Sequence, residues 1–233
     1  MERIIPDMTV CLVERYERLS YREALERQRV IAELRRRGEA PDTLMTLEHP
    51  ATITLGRNAT GDEILTPARV LEQRGISVVE TDRGGRSTFH GPGQLVVYPI
   101  LDLRNHGQDL HAYLRNLEES VILALRDLAL AAERIPGLTG VWVKDRKIAA
   151  MGIKARGWIT SHGLSVNIDP DLTVMRADMV PCGIEDHGVT SIAEELGNPG
   201  VTRSVFEPML LSAMSSVFGF TLEYPAGLGI IAA

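Results

Sequence analysis

Cys182 is the most promising nucleophile in the sequence. It follows Pro181 and precedes Gly183 in the stretch MVPCGIEDHGVTS. Proline favours an extended conformation in the residue before it, and glycine admits a ligand close to the backbone, so this pattern predicts a presented thiol. A thiol of ordinary pKa, about 8.5, becomes a good nucleophile at neutral pH only beside a base, a cation or a helix N-terminus. Cys182 therefore needs a partner.

That partner could be a histidine or a lysine. His187, His90 and His162 would each give a Cys-His arrangement. The lysines are the other candidates, because only three of the 25 basic residues are lysines and all three lie in KDRKIAAMGIK, at positions 144, 147 and 154. Unlike an arginine, a lysine can lose its proton when burial or neighbouring charges lower its pKa. Spacing along the chain leaves these alternatives open.

A glycine-rich segment, RGGRSTFHGPGQLVVYP at residues 83–99, is the second candidate for chemistry. Glycines without a Cβ let a ligand approach the main chain, and Arg83, Arg86 and His90 flank them. The segment contains neither the P-loop motif nor the dinucleotide fingerprint. The segment is therefore expected to form a bend that lines a substrate slot, with a glycine-rich turn of purely structural role as the alternative.

Composition excludes several classes of function. The net charge of -6 and the pI near 5.6 argue against nucleic-acid binding. No apolar run approaches the roughly 20 residues that span a bilayer, and the N-terminus lacks the apolar core of a signal peptide, so we expect a cytoplasmic protein without membrane association. The two cysteines, Cys11 and Cys182, form no CxxC pair, so neither a disulfide framework nor a zinc site is predicted.

The predicted elements must position these residues within one domain, residues 1–233. MTVCLVERY alternates as a strand that buries Cys11, and a helix follows between Ser20 as its N-cap and Gly38. QLVVYPILDL is expected to be a central strand, and apolar residues at helical spacing predict a long helix over residues 110–128. Strands and helices mix without regular alternation, which indicates an α+β domain with a mixed β-sheet flanked by helices.

The clustered lysines fall in a predicted meander. Residues 140–169 contain three apolar runs separated by the turns KDRK and ARGW, which predicts three antiparallel strands. Short strands are also expected within residues 42–58 and 76–82, and helices at residues 66–75, 190–197 and 204–219. The meander would bring Lys147 and the SHGLSVNID run onto neighbouring strands.

Three segments together resemble a known family. RGGRSTFHGPGQLVVYP, KIAAMGIK with SHGLSVNID, and PCGI are similar, in order and approximate spacing, to the lipoyl(octanoyl) transferases of the biotin/lipoate protein ligase superfamily. The resemblance spans about residues 40–200. The cysteine of PCGI separates these octanoyl-[acyl-carrier-protein]:protein N-octanoyltransferases from their ATP-dependent relatives.

The resemblance implies a biotin/lipoate protein ligase-like catalytic domain and an acyltransferase reaction without cofactor, ATP or metal. The donor would be octanoyl-acyl carrier protein. The acceptors would be specific lysines on the lipoyl domains of 2-oxoacid dehydrogenase E2 subunits and on the glycine-cleavage H protein. Cys182 would carry the thioester intermediate and Lys147 would be its catalytic partner. The substrate-binding residues would be Arg83, Gly84, Gly85, Arg86, Ser87, Thr88, Phe89, His90, Ala150, Met151, Gly152, Gly163, Leu164 and Ser165.

Some expectations follow from this chemistry. The main chain at Gly152, Gly163 or Gly183 could stabilise the oxyanion. Because acyl carrier proteins are acidic, a basic patch is needed for docking, with Arg57, Arg83 and Arg86 as candidates. Two alternatives to the transferase are an ATP-dependent lipoate ligase, in which the thiol would be incidental, and a noncatalytic relative that only binds acylated carrier protein.

Overall fold

The computed structural model describes residues 9–180, 187–198 and 200–225. The strands are β1 (Thr9–Arg18), β2 (Asp42–Glu48), β3 (Thr52–Leu55), β4 (Ser77–Glu80), β5 (Ser87–His90), β6 (Gln94–Ile100), β7 (Ala132–Glu133), β8 (Val141–Val143), β9 (Arg146–Arg156), β10 (Ile159–Asn167), β11 (Gly188–Val189) and β12 (Phe220–Glu223). The α-helices are α1 (Tyr21–Arg37), α2 (Ala68–Gln73), α3 (Leu110–Arg126), α4 (Ile192–Leu196) and α5 (Arg203–Phe218). A π-helical turn covers Val174–Asp178.

Two β-sheets organise these elements. The large sheet has the strand order β12-β1-β2-β6-β10-β9-β8-β7, and β11 pairs with β9. Strand β1 runs parallel to both of its neighbours, whereas β6, β10, β9 and β8 pair in antiparallel fashion. The small sheet has the order β4-β3-β5. The predicted mixed sheet is thus confirmed.

The faces of the large sheet bury different side chains because successive residues of a strand point to opposite sides. On β6, Leu95 and Val97 pack in the core beneath α3 and α5. Val96, Tyr98 and Ile100 pack on the opposite face, where α1 covers the sheet. The continuous apolar run of this strand is therefore explained by helices on both sides of it.

Helix α1 illustrates how local sequence sets the bounds of an element. Ser20 and Glu23 form a reciprocal capping box that satisfies backbone N–H groups of the first turn. Gly38 ends the helix in the left-handed conformation, with φ of 75°. Both predicted ends are confirmed. No helix in the described ranges is long and apolar enough to span a bilayer.

The meander is confirmed as β8, β9 and β10, and the long helix as α3. Cys11 is fully buried within β1, as predicted. Two features differ from expectation. The segment 83–99 contains a strand, β5, because its Ser-Thr-Phe-His run pairs with β3 in antiparallel register from Ser87↔Leu55 to His90↔Thr52. Strand β12 was not predicted, and it extends the large sheet beside β1.

Candidate active site

A cavity of about 230 Å³ opens between the large sheet and the glycine-rich segment. Strands β9 and β10 supply its floor, β5 and the turn before it supply one wall, and the first residue of α1 closes one side. The cavity is lined by Tyr21, Arg83, Gly85, Arg86, Thr88, His90, Tyr98, Gly137, Leu138, Thr139, Lys147, Ala150, Met151, Gly152, His162, Gly163, Leu164 and Ser165. Twelve residues of the predicted site lie in this lining.

Three predicted substrate-binding residues do not line the cavity. Phe89 points away from it and packs on Ile53 and Leu71 beneath the small sheet. The hydroxyl of Ser87 donates to the main-chain oxygen of Val180 at 3.1 Å. Strand alternation explains this, since only every second residue of β5 faces the cavity. Gly84 instead ties the turn to β9 through its N–H, which donates to the oxygen of Ile153 at 2.8 Å.

Lys147 is the lysine that reaches into the cavity. Its residue is 6% exposed, and its Nζ lies 4.8 Å from the ring centroid of Trp142. Within the described ranges its Nζ forms no hydrogen bond or ion pair, so the Trp142 face is the group that stabilises its charge there. Gly140 leaves room for the Lys147 side chain, because a Cβ on it would lie 3.1 Å from Lys147 Cε. Lys147 is thus a buried amine with an aromatic face and no carboxylate beside it among the described residues.

The other two lysines of the cluster have different surroundings. Lys144 is largely exposed, with its Nζ 3.8 Å from a carboxylate oxygen of Glu195. Lys154 pairs with Asp82 on the far side of β9. Each is thus held by a carboxylate. The sequence grouped the three residues, and the structure separates them by burial and partner.

Three histidines cluster beside Tyr21 and Tyr98 at the cavity. Burial lowers the pKa of His49 to about 4. Burial, together with the neighbouring His49, also lowers the pKa of His90 well below its usual value. Burial lowers the pKa of His162 as well, although Asp82 opposes this effect. All three rings are therefore neutral at pH 7.

Asp82 joins the cluster from outside the cavity. His162 Nε2 donates to Asp82 Oδ1 at 2.8 Å, and Lys154 donates to the other carboxylate oxygen. Burial disfavours the charged carboxylate, but these two hydrogen bonds outweigh it and lower the pKa of Asp82 to about 2. The third predicted histidine candidate, His187, lies away from this cluster, where its Nδ1 contacts Asp145 Oδ1 at 2.5 Å.

Gly163 lets two strands approach closely behind the cavity. A Cβ at this position would lie 2.2 Å from the main-chain oxygen of Val97 and 2.5 Å from Pro99 Cδ. Gly163 pairs with Gly152 across the β9–β10 ladder, so both predicted oxyanion candidates lie in regular strands. The third candidate, Gly183, and the predicted nucleophile Cys182 lie outside the described residues.

The predicted docking patch needs one correction. Arg83 is buried, and its guanidinium donates to the main-chain oxygen and the hydroxyl of Thr54 at 2.8 Å each. It therefore cannot serve as a surface charge. Arg57 is exposed, and Arg86 is partly exposed but paired with Glu63. In the described part of the chain, no three His, Cys, Asp or Glu side chains gather in a group that could hold a metal ion.

Several lining residues were not identified from the sequence. Tyr21 begins α1 and Tyr98 lies on β6, and both reach the cavity only through long-range packing. Gly137, Leu138 and Thr139 come from the loop before β8. The sequence shows no periodicity or motif at these positions that would indicate a ligand.

Comparison with known proteins decides the family. A model of the lipoyl protein ligase A/B catalytic domain matches residues 20–215. An octanoyltransferase from Roseiflexus sp. (strain RS-1) is 49% identical over 203 residues, which are 86% of this chain and 84% of that protein. The chain belongs to the octanoyltransferase family. The resemblance carried by the three sequence segments is thereby confirmed.

Solved structures confirm the fold of this family member. Lipoate-protein ligase A bound with ATP superposes with a TM-score of 0.76 at 16% identity, covering 94% of this chain and 90% of that one. A biotin protein ligase from Aquifex aeolicus in complex with biotin and ATP gives a TM-score of 0.53 at 15% identity, covering 90% and 70%. The octanoyltransferase thus has the biotin/lipoate protein ligase-like fold.

Proposed function

We propose that this octanoyltransferase works by a ping-pong mechanism through Cys182. Its thiolate attacks the thioester carbonyl of octanoyl-acyl carrier protein, the C–S bond of the donor breaks, and the carrier leaves as a thiol. The ε-amine of a lysine on a lipoyl domain then attacks the acyl-enzyme, giving an amide and restoring the Cys182 thiol. Because the incoming thioester is already activated, the transfer uses no ATP.

The buried position of the Lys147 amine is the observation that carries this proposal. This lysine brings a buried amine into a cavity where described residues offer it an aromatic face but no carboxylate. An amine in that setting can take the proton of the thiol, stabilise the thiolate as an ammonium, and later relay a proton from the attacking amine. Lys144 and Lys154 each lie beside a carboxylate and fit this role less well.

The apolar part of the lining supports an acyl slot. Ala150 and Met151 of β9, Leu164 of β10 and Leu138 of the loop before β8 all line the cavity. These side chains offer an aliphatic chain the apolar contact that it prefers over water. Arg57, exposed on the turn after β3 and without an ion pair to any described residue, is the remaining candidate of the predicted patch for an acidic carrier protein.

The mass of the acyl-enzyme tests the proposal. Incubation of the purified protein with octanoyl-acyl carrier protein, without ATP, should add one octanoyl group to the peptide that contains Cys182. Cys182→Ser should prevent that labelling, whereas Cys11→Ala should retain it because Cys11 is buried in β1. Acylation that requires octanoate and ATP would instead support a ligase.

A reactivity measurement addresses the noncatalytic alternative. If Lys147 activates the thiol, iodoacetamide should label Cys182 faster at neutral pH than it labels a model thiol. Lys147→Met should remove that advantage, because it takes the cation away and keeps most of the side-chain volume. Labelling of the unchanged protein at the rate of a model thiol would support carrier binding alone.

A further inference from the structure

A chain of hydrogen bonds runs from the end of β11 to His90. The main-chain oxygen of Thr190 accepts from Asn167 at 2.9 Å, so the amide nitrogen of Asn167 must face it. Asn167 Oδ1 then accepts from Gln94 Nε2 at 2.9 Å, and Gln94 Nε2 also donates to the main-chain oxygen of Phe89 at 3.1 Å. Because a carbonyl oxygen can only accept, these two main-chain groups fix the orientation of both amides.

The fixed amides decide where His90 carries its proton. Gln94 Oε1 lies 2.7 Å from His90 Nδ1, and an amide oxygen can only accept. Nδ1 therefore bears the hydrogen. Since burial keeps the ring neutral, Nε2 is left with a lone pair. Nε2 has no hydrogen-bond partner among the described residues, and His90 lines the cavity.

Hydrogen bonds also fix the direction of the Tyr98 hydroxyl, which lies beside His90. His49 Nδ1 donates to the main-chain oxygen of Leu19, so its Nε2 is an acceptor and the hydroxyl of Tyr98 donates to it at 2.7 Å. The Nδ1 atom of His162 is likewise an acceptor, because its Nε2 donates to Asp82.

The hydroxyl of Tyr21 lies 3.3 Å from His162 Nδ1 and 3.1 Å from the hydroxyl of Thr81, so its hydrogen has two acceptors within reach. The hydrogen of Tyr98 is directed at His49, which does not line the cavity. His90 and Tyr98 therefore present lone pairs to a ligand in the cavity. We name the surface formed by His90 and Tyr98 the acceptor wall.

An acceptor wall cannot stabilise an oxyanion, which needs donors. It suits a ligand group that brings N–H bonds. We propose that His90 Nε2 positions the ε-amine of the target lysine for attack on the acyl-enzyme, accepting a hydrogen bond from one of its two N–H groups. This inference rests on the proposed octanoyl transfer and adds a residue that acts only on the acceptor half-reaction.

The hydrogen count of the reaction supports this assignment. When the nitrogen lone pair forms the C–N bond and the C–S bond breaks, the amine must lose one hydrogen and keep the other as the amide N–H. Lys147 relays the departing proton to the Cys182 thiolate. His90 holds the hydrogen that stays, and a weakly basic imidazole suits this role because it does not remove the proton.

Separating the two half-reactions tests the proposal. Acyl-enzyme formation from octanoyl-acyl carrier protein is followed by intact mass, and pre-acylated enzyme is then mixed with a lipoyl domain in single turnover. His90→Ala should slow the second step about tenfold, the effect of losing one positioned hydrogen bond, and should leave the first step nearly unchanged. Ser120→Ala, which changes a buried hydroxyl on α3, is the matched control and should affect neither.

Hydroxylamine separates positioning from a structural effect. It is a small amine that reaches the thioester without being held, so it should deacylate the His90→Ala acyl-enzyme at the rate of the unchanged protein. Equal losses with hydroxylamine and the lipoyl domain would overturn the proposal. So would a first step slowed as much as the second, which would indicate that His90 contacts the carrier arm.

The tautomer of His90 can be observed without any variant. Nitrogen-15 NMR of the intact protein should show His90 protonated at Nδ1, and Gln94→Leu should abolish that preference and slow transfer to the lipoyl domain. A proton on Nε2 in the unchanged protein would refute the proposal. Failure of the unchanged protein to form an acyl-enzyme would instead refute the proposed octanoyl transfer and is distinguishable from both results.

Discussion

The two ends of strand β9 place a lysine in opposite environments. Lys147, near the start of the strand, is buried against Trp142, whereas Lys154, seven residues later, is partly exposed and bonded to Asp82. A carboxylate beside an ammonium stabilises its charged form. The same residue type therefore has a carboxylate partner at one end of β9 and an aromatic partner at the other.

Arginine substitution at each end should give the largest contrast. Lys147→Arg keeps a positive charge but cannot exchange a proton, so acyl transfer should fall by about 100-fold or more. Lys154→Arg can keep its ion pair with Asp82 and should retain near-normal transfer. Rates are measured as octanoylation of a lipoyl domain. Near-normal transfer by Lys147→Arg would remove the distinction between the two ends.

A glycine beside each end provides the next contrast. Gly140 has φ of 135°, and a Cβ on it would lie 2.9 Å from the main-chain oxygen of Ala149 as well as close to Lys147. Gly140→Ala should displace the lysine and reduce transfer about tenfold, with a stability loss of about 2 kcal/mol.

Gly157 is the matched control at the other end. It has φ of 59° and open space around it, in the turn after β9. Gly157→Ala should cost about 1 kcal/mol in backbone strain and leave transfer unchanged. Chemical denaturation and transfer assays on both variants check these outcomes. Equal transfer by the two variants would mean that the position of Lys147 tolerates displacement.

Acid should destabilise the histidine cluster next to Lys154. The pKa of His49 is lowered to about 4 in the folded protein, and those of His90 and His162 are also lowered. The unfolded chain therefore binds more protons between pH 6.5 and 4, and stability falls as the pH falls through that range. For His49, whose pKa falls to about 4, the loss should approach about 1.4 kcal/mol per pH unit between pH 6.5 and 4.

Urea denaturation between pH 7.5 and 5 measures this dependence. His49→Gln should reduce the slope, and replacement of the exposed His111 should leave it unchanged. Below pH 4 a further loss is expected as Asp82, with its pKa lowered to about 2, becomes protonated. Stability that does not change from pH 7 to 5 would contradict neutral buried rings.

Removal of the carboxylate at the Lys154 end should have the smallest effect. Asp82→Asn weakens contacts to Lys154 and His162, but the Asp82 side chain is 36% exposed and water screens the ion pair. The free energy of unfolding should fall by about 1 kcal/mol or less. Asp145→Asn, at a more exposed carboxylate, should change it less. A loss several times larger would show that the contacts of Asp82 with Lys154 and His162 are a major source of stability.

Local signals predicted most elements of the fold. Ser20 and Gly38 bound α1 through hydrogen bonds within a few residues of the chain, and the turns of the meander separate β8, β9 and β10 by composition. The small sheet was not predicted, because β3 pairs with β5 over more than thirty residues of intervening chain. Pairing at that distance depends on tertiary packing, to which short-range patterns are insensitive.

The candidate site was likewise predicted in part. The lysine and the segments 150–152 and 163–165 line one cavity, because β9 and β10 are adjacent strands that pair in register. Ser87 and Phe89 point away from the cavity because they lie in a strand, whose successive side chains alternate between two faces. The expected bend did not predict this alternation. Tyr21 and Tyr98 needed the packing of α1 on the sheet. Cys182 was chosen as the nucleophile from its Pro-Cys-Gly context, the resemblance to octanoyltransferases supports the same residue, and it lies outside the described residues.

Thr190 links the backbone of Lys147 to the hydrogen-bond chain that ends at His90. Its N–H donates to the main-chain oxygen of Lys147 at 3.0 Å, and its own oxygen anchors the amide chain that ends at His90. The positions of Lys147 and His90 therefore both depend on Thr190. Substitutions intended to admit longer acyl chains should therefore be made at Met151 or Leu164 and not at residue 190. A shift of Thr190 would displace both Lys147 and the hydrogen-bond chain that orients His90.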